Sequence, residues 1–290
     1  MKTLKEYINE YEGRKKAIGH FNVATIEMFW GVIKAAQQLS AEVGEQVPVV
    51  IGMTENERDV FGVNEAVQII KTIREADNFP VFLNADHTYV TDRANEAVAA
   101  DFDMIIIDKA DKSFDENVSE TKKVVDFKNA RASHALIEAE LGFIGAGSSI
   151  KEAMPEGVSE ATMTKPEDAK AFVEQTGIDI LAPSVGNVHG LIKTGKPRLH
   201  PKRVKQIREA AGVPLVLHGG SGSTDDDFRA VIQAGISLIH ISTELRVAYR
   251  DALEHSLKTN TELAPYKYMK EPMEAVQKVA HERMKLFFHG

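Results

Sequence analysis

Cysteine is absent from the 290-residue sequence. This absence excludes disulfides, thiolate metal ligands and a cysteine nucleophile, so any metal must bind to histidine, carboxylate, carbonyl or water ligands. Positive charge is also scarce, because 35 Lys and Arg stand against 43 Asp and Glu, giving a net charge of −8. Binding to a phosphate backbone needs a dense basic face, and we therefore expect no nucleic-acid partner.

The chain also lacks long apolar runs, low-complexity segments and Pro/Gly/Ser linkers. No apolar run approaches the length of a membrane span, and the N-terminal stretch MKTLKEYINEYEGRKKAIGHFNV is too charged for a secretory signal. These observations predict a cytoplasmic protein with no membrane association. Since the composition does not change abruptly along the chain, we expect a single domain that covers residues 1–290.

What the chain does contain is an apolar, β-rich run that recurs eight times, with amphipathic helical patterns in between. Continuous apolar strands that alternate with helices indicate a parallel sheet buried on both faces, and eight such units predict an α/β fold of the (β/α)8 TIM-barrel type. An open doubly wound sheet is the alternative, but no Gly-x-Gly-x-x-Gly fingerprint follows the first strand. The predicted strands cover residues 17–23, 47–53, 80–86, 104–108, 134–141, 180–186, 214–219 and 237–242.

In such a barrel the chemistry lies where the strands end. His87, His189 and His218 each follow a predicted strand, at separations of 102 and 29 residues. A single histidine in this position is more often structural, but three at one rim favour a metal site. Three neutral imidazoles with one open position form a catalytic zinc site, so the residues predict Zn²⁺ if the barrel forms. By contrast, His20 and His134 lie within or at the start of strands, and we expect them to be hydrogen-bonded core residues.

Carboxylates accompany the histidines at the same strand ends. Asp86 precedes His87 and can orient a ligand, act as a general base or cap a helix. Asp108 ends a run of three isoleucines, and Glu140 shares a strand face with Glu138. Burying these charges is costly unless a cation or hydrogen bonds meet them, which leaves a second metal position and a lysine salt bridge as open alternatives.

A phosphate site is predicted after the last two strands. The segment PLVLHGGSGS, Pro214 to Ser223, ends in glycines and serines, and HISTE follows the eighth strand. Barrels commonly hold a phosphate at this position. Glycines allow backbone N–H groups to approach an anion, the hydroxyls of Ser221, Ser242 and Thr243 add donors, and a following helix N-terminus adds its dipole.

Six segments, LNADHT, IIID, EAELG, GNVHG, LVLHGGSG and HISTEL, occur in an order and spacing that resemble the class II, metal-dependent ketose-bisphosphate aldolases. This family includes the fructose- and tagatose-bisphosphate enzymes, and the similarity runs from HFNV to the C-terminal helix. The resemblance implies a TIM barrel that reversibly cleaves a phosphorylated ketose into dihydroxyacetone phosphate and an aldehyde. It also implies zinc on His87, His189 and His218, and Asp86 as the catalytic proton donor.

The resemblance implies further site residues. Asp108 and Glu140 correspond to a second, more peripheral site for a divalent or monovalent cation, and Thr54 matches a hydroxyl near the substrate carbonyl. We also expect a homo-oligomer, either a dimer or a tetramer. The residues expected to contact the dihydroxyacetone phosphate half are Gly190, Gly219, Gly220, Ser221, His240, Ile241, Ser242 and Thr243.

The sequence departs from the family pattern at two places. The family has Asn where this chain has His240, and the loop after ELG lacks the usual acids, with Gly147 and Ser148 in their place. Glu152 or Glu156 would be substitutes for the acid that moves the C3 proton of the substrate. Our hypothesis is that His240 either handles this proton or recognises a substrate group that Asn does not.

Two other functions compete with the aldolase interpretation. One is a metal-dependent isomerase or epimerase of sugar phosphates, and the other is a non-catalytic phosphosugar-binding barrel. Retention of the three histidines and of Asp86 counts against the second alternative.

Overall fold

Eight parallel strands close into a barrel in the computed structural model, which describes residues 1–145, 147, 149–155, 158–194 and 197–290. In chain order the strands are β1 (Ile18–Asn22), β2 (Val49–Met53), β3 (Val81–Thr88), β4 (Met104–Ile107), β5 (Leu136–Leu141), β6 (Ile150–Lys151), β7 (Ile180–Pro183), β8 (Leu191–Ile192), β9 (Leu215–Leu217) and β10 (Ile236–Ile241). The barrel strands are hydrogen-bonded in the order β1-β2-β3-β4-β5-β7-β9-β10, and β10 pairs with β1 to close the ring. This arrangement confirms the predicted (β/α)8 TIM barrel.

Helices surround the barrel and bury their apolar stripes against it. In the helix after β1, Phe29, Val32 and Ile33 are fully buried, as the helical spacing predicts, whereas Ile26 at its first position is 41% exposed. None of the helices in the described part of the chain is long and apolar enough to cross a bilayer. The helices are α1 (Leu4–Gly13), α2 (Ile26–Val43), α3 (Glu55–Phe61), α4 (Val63–Asp77), α5 (Thr91–Ala99), α6 (Phe114–Ala130), α7 (Pro166–Thr176), α8 (Pro201–Ala211), α9 (Asp225–Ala234), α10 (Thr243–Thr259), α11 (Pro265–Tyr268) and α12 (Lys270–His289).

The carboxyl end of β3 is irregular. The strand extends to Thr88, two residues beyond the predicted end at Asp86, and its register to β4 shifts between Ala85 and Thr88. Within this shift His87 has a φ of +36°, which is unusual for a residue with a side chain. Such a bulge changes the direction of a side chain, and backbone strain of this kind clusters at functional sites.

One predicted core histidine is correct and the other is wrong. His20 is fully buried in β1, and its Nε2 lies 3.0 Å from Nδ2 of Asn84. His134 instead precedes β5, because that strand begins at Leu136 rather than at residue 134. Its side chain is 60% exposed, and its Nε2 lies 3.8 Å from Asp103.

A second, two-stranded sheet joins two loops above the barrel. Strand β6 follows β5, strand β8 follows β7, and the two pair in parallel through Ile150 with Leu191 and Lys151 with Ile192. The amide of Leu191 also donates to the carbonyl of Ser149 at 3.0 Å. This small sheet was not anticipated from the sequence.

Candidate active site

The three rim histidines come together in space. His87 lies at the irregular end of β3, His189 follows β7, and His218 directly follows β9. Their ring centroids are 4.8 Å apart for His87 and His189, 4.9 Å for His87 and His218, and 5.9 Å for His189 and His218. Residues that are far apart in the chain thus form one cluster of imidazoles at the carboxyl end of the barrel.

Each imidazole has one nitrogen held by a neighbouring acceptor. Nδ1 of His87 lies 2.8 Å from Oδ2 of Asp108, and Nδ1 of His189 lies 2.8 Å from the carbonyl oxygen of Gly145. Nε2 of His218 lies 2.6 Å from Oε1 of Glu138. Acceptors of this type fix the tautomer of a metal-binding histidine and leave its other nitrogen to the metal.

The remaining nitrogens face a common space that Glu140 also borders. Nε2 of His87 and Nδ1 of His218 are 3.2 Å apart, while Nε2 of His189 is buried with no hydrogen-bond partner. Oε2 of Glu140 is likewise buried without a partner and lies 4.0 Å from Nδ1 of His218. One ligand atom from each of these four residues lies within 4.8 Å of the others. This set of nitrogen and oxygen donors fits Zn²⁺.

The acidic groups of β5 are electrostatically costly without a cation. Glu138 and Glu140 are both buried, and burial raises the pKa of each carboxyl well above its usual value. Neighbouring negative charges raise these pKa values further: the charge of Asp86 acts on Glu138, and the charge of Asp108 acts on Glu140. A divalent cation among the histidines would offset this cost, because it favours the charged form of both carboxyls.

Asp86 lies beside this cluster and is almost completely buried. Its Oδ2 accepts a hydrogen bond from Nδ2 of Asn22 at 2.7 Å, and its Oδ1 lies 3.3 Å from Nδ1 of His240. Burial opposes the charged form of Asp86, but the charge of His87 and the contact with His240 keep its pKa well below the usual value. The group is therefore a carboxylate that can accept a proton.

His240 is part of a stack of imidazoles. Its ring lies parallel to that of His20, with centroids 3.4 Å apart and planes 5° apart, and it is 4.0 Å from the ring of His218. Burial lowers the pKa of His20 to about 4 and the pKa of His240 well below its usual value. Both rings are therefore neutral at physiological pH, and His240 presents a neutral imidazole to Asp86.

The segments expected to bind phosphate lie on one side of the histidines. Ser242 precedes α10 without capping it, and its buried Oγ has no hydrogen-bond partner. Gly190 and Gly219 have φ angles of +94° and +59°, and a Cβ on Gly219 would lie 2.5 Å from the backbone of Val188. These segments and the histidines border one cavity, which is lined by Asn22, Thr54, Asp86, His87, His189, Gly190, His218, Gly219, Ser221, His240, Ser242 and Thr243. Two residues expected to contact the substrate, Gly220 and Ile241, do not line this cavity, and Ile241 is buried in the core.

The loop after β5 contains the candidates for moving the C3 proton. Glu152 is exposed and forms an ion pair with Lys193 at 2.7 Å. Gly147 lies at the edge of a neighbouring cavity that also reaches His87 and His189. Ser148 and Glu156 lie outside the described residues.

Two residues that organise the site were missed by the sequence reasoning. Glu138 was noted only as sharing a face with Glu140, although it holds His218. Arg58 of α3 is buried and donates to the carbonyl oxygen of Met53 at 2.9 Å and to Oγ1 of Thr88 at 3.2 Å, which supports the end of β3. No local motif in the sequence marks either role.

A parallel barrel that presents three oriented imidazoles, a buried carboxylate and a glycine-rich loop at one rim is typical of a metal-dependent barrel enzyme. A family model described as "Fructose-bisphosphate aldolase class-II" matches residues 2–289. The chain therefore belongs to the class II fructose-bisphosphate aldolase family, which is metal-dependent, and is an aldehyde-lyase.

The chain is similar in sequence to individual members of this family over most of their length. A fructose-bisphosphate aldolase of Geobacillus stearothermophilus is 34% identical over 258 residues, covering 88% of this chain and 85% of the relative. One from Staphylococcus aureus strain Mu50 is 31% identical over 289 residues, covering 98% and 96%. Among solved structures, the YdjI aldolase from Escherichia coli K12 is similar with a TM-score of 0.82 at 31% identity, covering 98% and 96%.

Proposed function

We propose that this enzyme reversibly cleaves a phosphorylated ketose resembling fructose 1,6-bisphosphate into dihydroxyacetone phosphate and an aldehyde. The observation that carries the proposal is the convergence of three imidazole nitrogens next to the buried carboxylate of Asp86. Aldol cleavage needs both a site that stabilises negative charge and a group that accepts the hydroxyl proton.

The residues that would hold Zn²⁺ are His87 and His189, through Nε2, and His218, through Nδ1. Bound there, zinc would supply a Lewis acid for the ketone and hydroxyl oxygens of the substrate. Asp108, the Gly145 carbonyl and Glu138 keep the three rings oriented through their other nitrogens. A second cation at Asp108 and Glu140 stays a prediction.

Asp86 moves the proton of the C4 hydroxyl. In the cleavage direction it accepts this proton as the C4 oxygen forms the aldehyde carbonyl and the C3–C4 bond breaks. The electron pair of that bond stays with the dihydroxyacetone half as an enediolate, and a proton then returns to C3. Asn22 orients the Asp86 carboxylate from one side, and His240 lies at its other oxygen.

The phosphate of the dihydroxyacetone half is bound by the loops after β9 and β10. The uncapped N-terminus of α10 and the unpartnered hydroxyl of Ser242 supply donors, and Ser221 and Thr243 line the same cavity. Gly190 and Gly219 allow the backbone to approach the anion closely. The assignments of Thr54, Gly220 and Ile241 to substrate binding also stay predictions.

A coupled assay for release of dihydroxyacetone phosphate from a panel of ketose phosphates tests this function. Release that depends on metal is the expected result. An isomerase or epimerase would convert a sugar phosphate without release, and a binding protein would show binding without turnover. Family membership disfavours both alternatives.

We further propose a cytoplasmic enzyme that acts as a single aldolase domain over residues 1–290 and assembles as a dimer or tetramer. Light scattering coupled to size-exclusion chromatography tests the assembly. A monomeric mass at micromolar concentration would contradict it.

A further inference from the structure

A second, larger cavity adjoins the histidine cluster. It measures about 520 Å³ and shares Thr54, His87 and His189 with the cavity described above. A volume of this size lies within the usual range for small-molecule pockets. If the dihydroxyacetone phosphate half occupies the first cavity, then the rest of the ketose, beyond C3, extends into this second one. The inference therefore rests on the proposed function.

Acidic side chains dominate the described lining of this second cavity. Glu55 and Asp111 line it outside the histidine cluster, and Arg246 is the one Lys or Arg among the described lining residues. Asp108 and Glu140 also line it, but Asp108 is paired with His87 and a bound cation would offset the charge of Glu140. Nη2 of Arg246 donates to Oε1 of Glu57 at 2.7 Å, so its charge is already engaged with a carboxylate.

Side chains of the chain already occupy several amide donors at the N-terminus of α3, which borders the cavity. Thr54 caps this helix by accepting from the amide of Glu57, and the Glu57 carboxylate accepts in return from the amide of Thr54 at 2.9 Å. Glu55 in turn accepts from the amides of Tyr89 and Val90 at 2.8 and 3.1 Å. The amides of Thr54, Tyr89 and Val90 are thus paired with carboxylates of the chain, and the amide of Glu57 is paired with the Thr54 hydroxyl.

A second anion placed in this cavity would lie among the carboxylates of Glu55 and Asp111, which line it. Like charges at close range repel one another.

We infer that the acidic cavity bounded by Glu55, Asp111 and Tyr89 accepts an uncharged, hydroxylated aldehyde, so that the preferred substrate is a ketose 1-phosphate rather than a bisphosphate. Carboxylates accept hydrogen bonds from sugar hydroxyls, and Asn56 and the Tyr89 phenol add neutral polar groups. The same carboxylates repel a phosphate dianion. One phosphate is thus bound at the dihydroxyacetone end and none at the other.

The test compares two acceptors that differ only in the phosphate. The zinc-loaded enzyme is supplied with dihydroxyacetone phosphate and either D-glyceraldehyde or D-glyceraldehyde 3-phosphate, and consumption of dihydroxyacetone phosphate is followed. We expect kcat/KM to be at least about tenfold higher for D-glyceraldehyde, a difference near 1.4 kcal/mol. Equal or higher kcat/KM for the phosphorylated acceptor, or reaction with neither, would overturn the inference.

Solvent exchange of the C3 proton of dihydroxyacetone phosphate, measured without any acceptor, separates this inference from the proposed function. Absence of exchange rejects the proposed function and the inference with it. Exchange together with a preference for the phosphorylated acceptor rejects the inference alone.

Charge variants supply the second arm of the test. Glu55→Gln and Asp111→Asn each remove one negative charge from the cavity, and the Gln amide oxygen can still accept the hydrogen bonds that Glu55 receives. We expect each to raise the relative kcat/KM of the phosphorylated acceptor about threefold to tenfold. Glu174→Gln, on the exposed surface of α7, changes the net charge equally and should leave the ratio unchanged. Unchanged ratios in both cavity variants would overturn the electrostatic argument.

Discussion

The carboxylate of Glu138 should control how tightly the enzyme holds its metal, although it does not face the metal. Its Oε1 lies 2.6 Å from Nε2 of His218, and both side chains are at most 1% exposed. Glu138→Gln keeps the volume but replaces a carboxyl, whose charged form a bound cation favours, with a neutral amide. The amide can also present its NH₂ to Nε2, which favours the tautomer that protonates Nδ1 and blocks the metal-binding nitrogen.

The expected loss follows from the contact. Hydrogen bonds to charged groups contribute about 1.5–3 kcal/mol and neutral ones about 0.5–1.5 kcal/mol, so the exchange weakens the orientation of His218 by about 1–2 kcal/mol. Partners of metal-binding histidines change metal affinity by about 10–100-fold when they are mutated. We therefore expect the Kd for Zn²⁺ to rise by at least about tenfold in Glu138→Gln.

A second variant, Asp108→Asn, tests the same dependence of zinc affinity on the partner of a histidine. Asp108→Asn removes the equivalent partner of His87, but that bond is longer, at 2.8 Å, and both side chains are 12% exposed. Since water screens the interaction more, the loss of affinity should be smaller than for Glu138→Gln. Glu209→Gln, on the exposed face of α8, serves as the control with unchanged affinity.

Competition with a chelating dye measures the Kd, and circular dichroism during heating shows whether each variant is folded. A folded Glu138→Gln protein that binds zinc as tightly as the unmodified enzyme would refute the argument. It would mean that the cluster orients His218 without the carboxylate.

The remaining predictions concern the metal, the proton donor and two buried histidines. Chelation should abolish activity, and Zn²⁺ or Co²⁺ should restore it. The His218→Ala variant should lose metal and activity but stay folded; if it unfolds, His218 has a structural role. Asp86→Ala should keep its metal but cleave about 10²–10⁴-fold more slowly in the coupled assay, and near-normal turnover would move the proton role elsewhere. His240→Asn should reduce C3 proton exchange or change the preferred substrate, and a change below about twofold in both would reject our hypothesis for His240. Because the pKa of His20 is about 4 in the folded chain against 6.5 otherwise, its contribution to stability is complete above pH 6.5. As the pH falls toward 4 the unfolded chain takes up the proton first, which lowers the free energy of unfolding by at most about 3 kcal/mol. Denaturant titrations should therefore show a smaller loss of unfolding free energy at acid pH in His20→Gln than in the unmodified protein.

Much of the fold could be predicted because buried parallel strands leave a strong local pattern. The run of isoleucines before Asp108 and the apolar stretch before His218 both form barrel strands. Once eight such strands close, His87, His189 and His218 must share one rim, although nothing local connects them. The convergence therefore followed from the fold rather than from a motif.

The errors and omissions arose where tertiary contacts decide the outcome. His134 lies two residues before the true start of β5, so its ring is exposed rather than in the core. The partner of Glu138 lies 80 residues away, and a strand pattern gives the face of a side chain but not its partner. Strands β6 and β8 have two residues each, which is too short for any periodicity to show.

The small sheet of β6 and β8 has a consequence for how metal and loop depend on each other. His189 is bonded to the loop after β5 twice, through its amide to the carbonyl of Ile144 at 3.0 Å and through its ring to the carbonyl of Gly145. Two residues further on, the chain enters β8 and pairs with β6. A displacement of this loop would therefore either break these two hydrogen bonds or move His189, the proposed zinc ligand, with it. By thermodynamic reciprocity, zinc bound to His189 strengthens the docking of the loop to the same degree that the docked loop strengthens the binding of zinc.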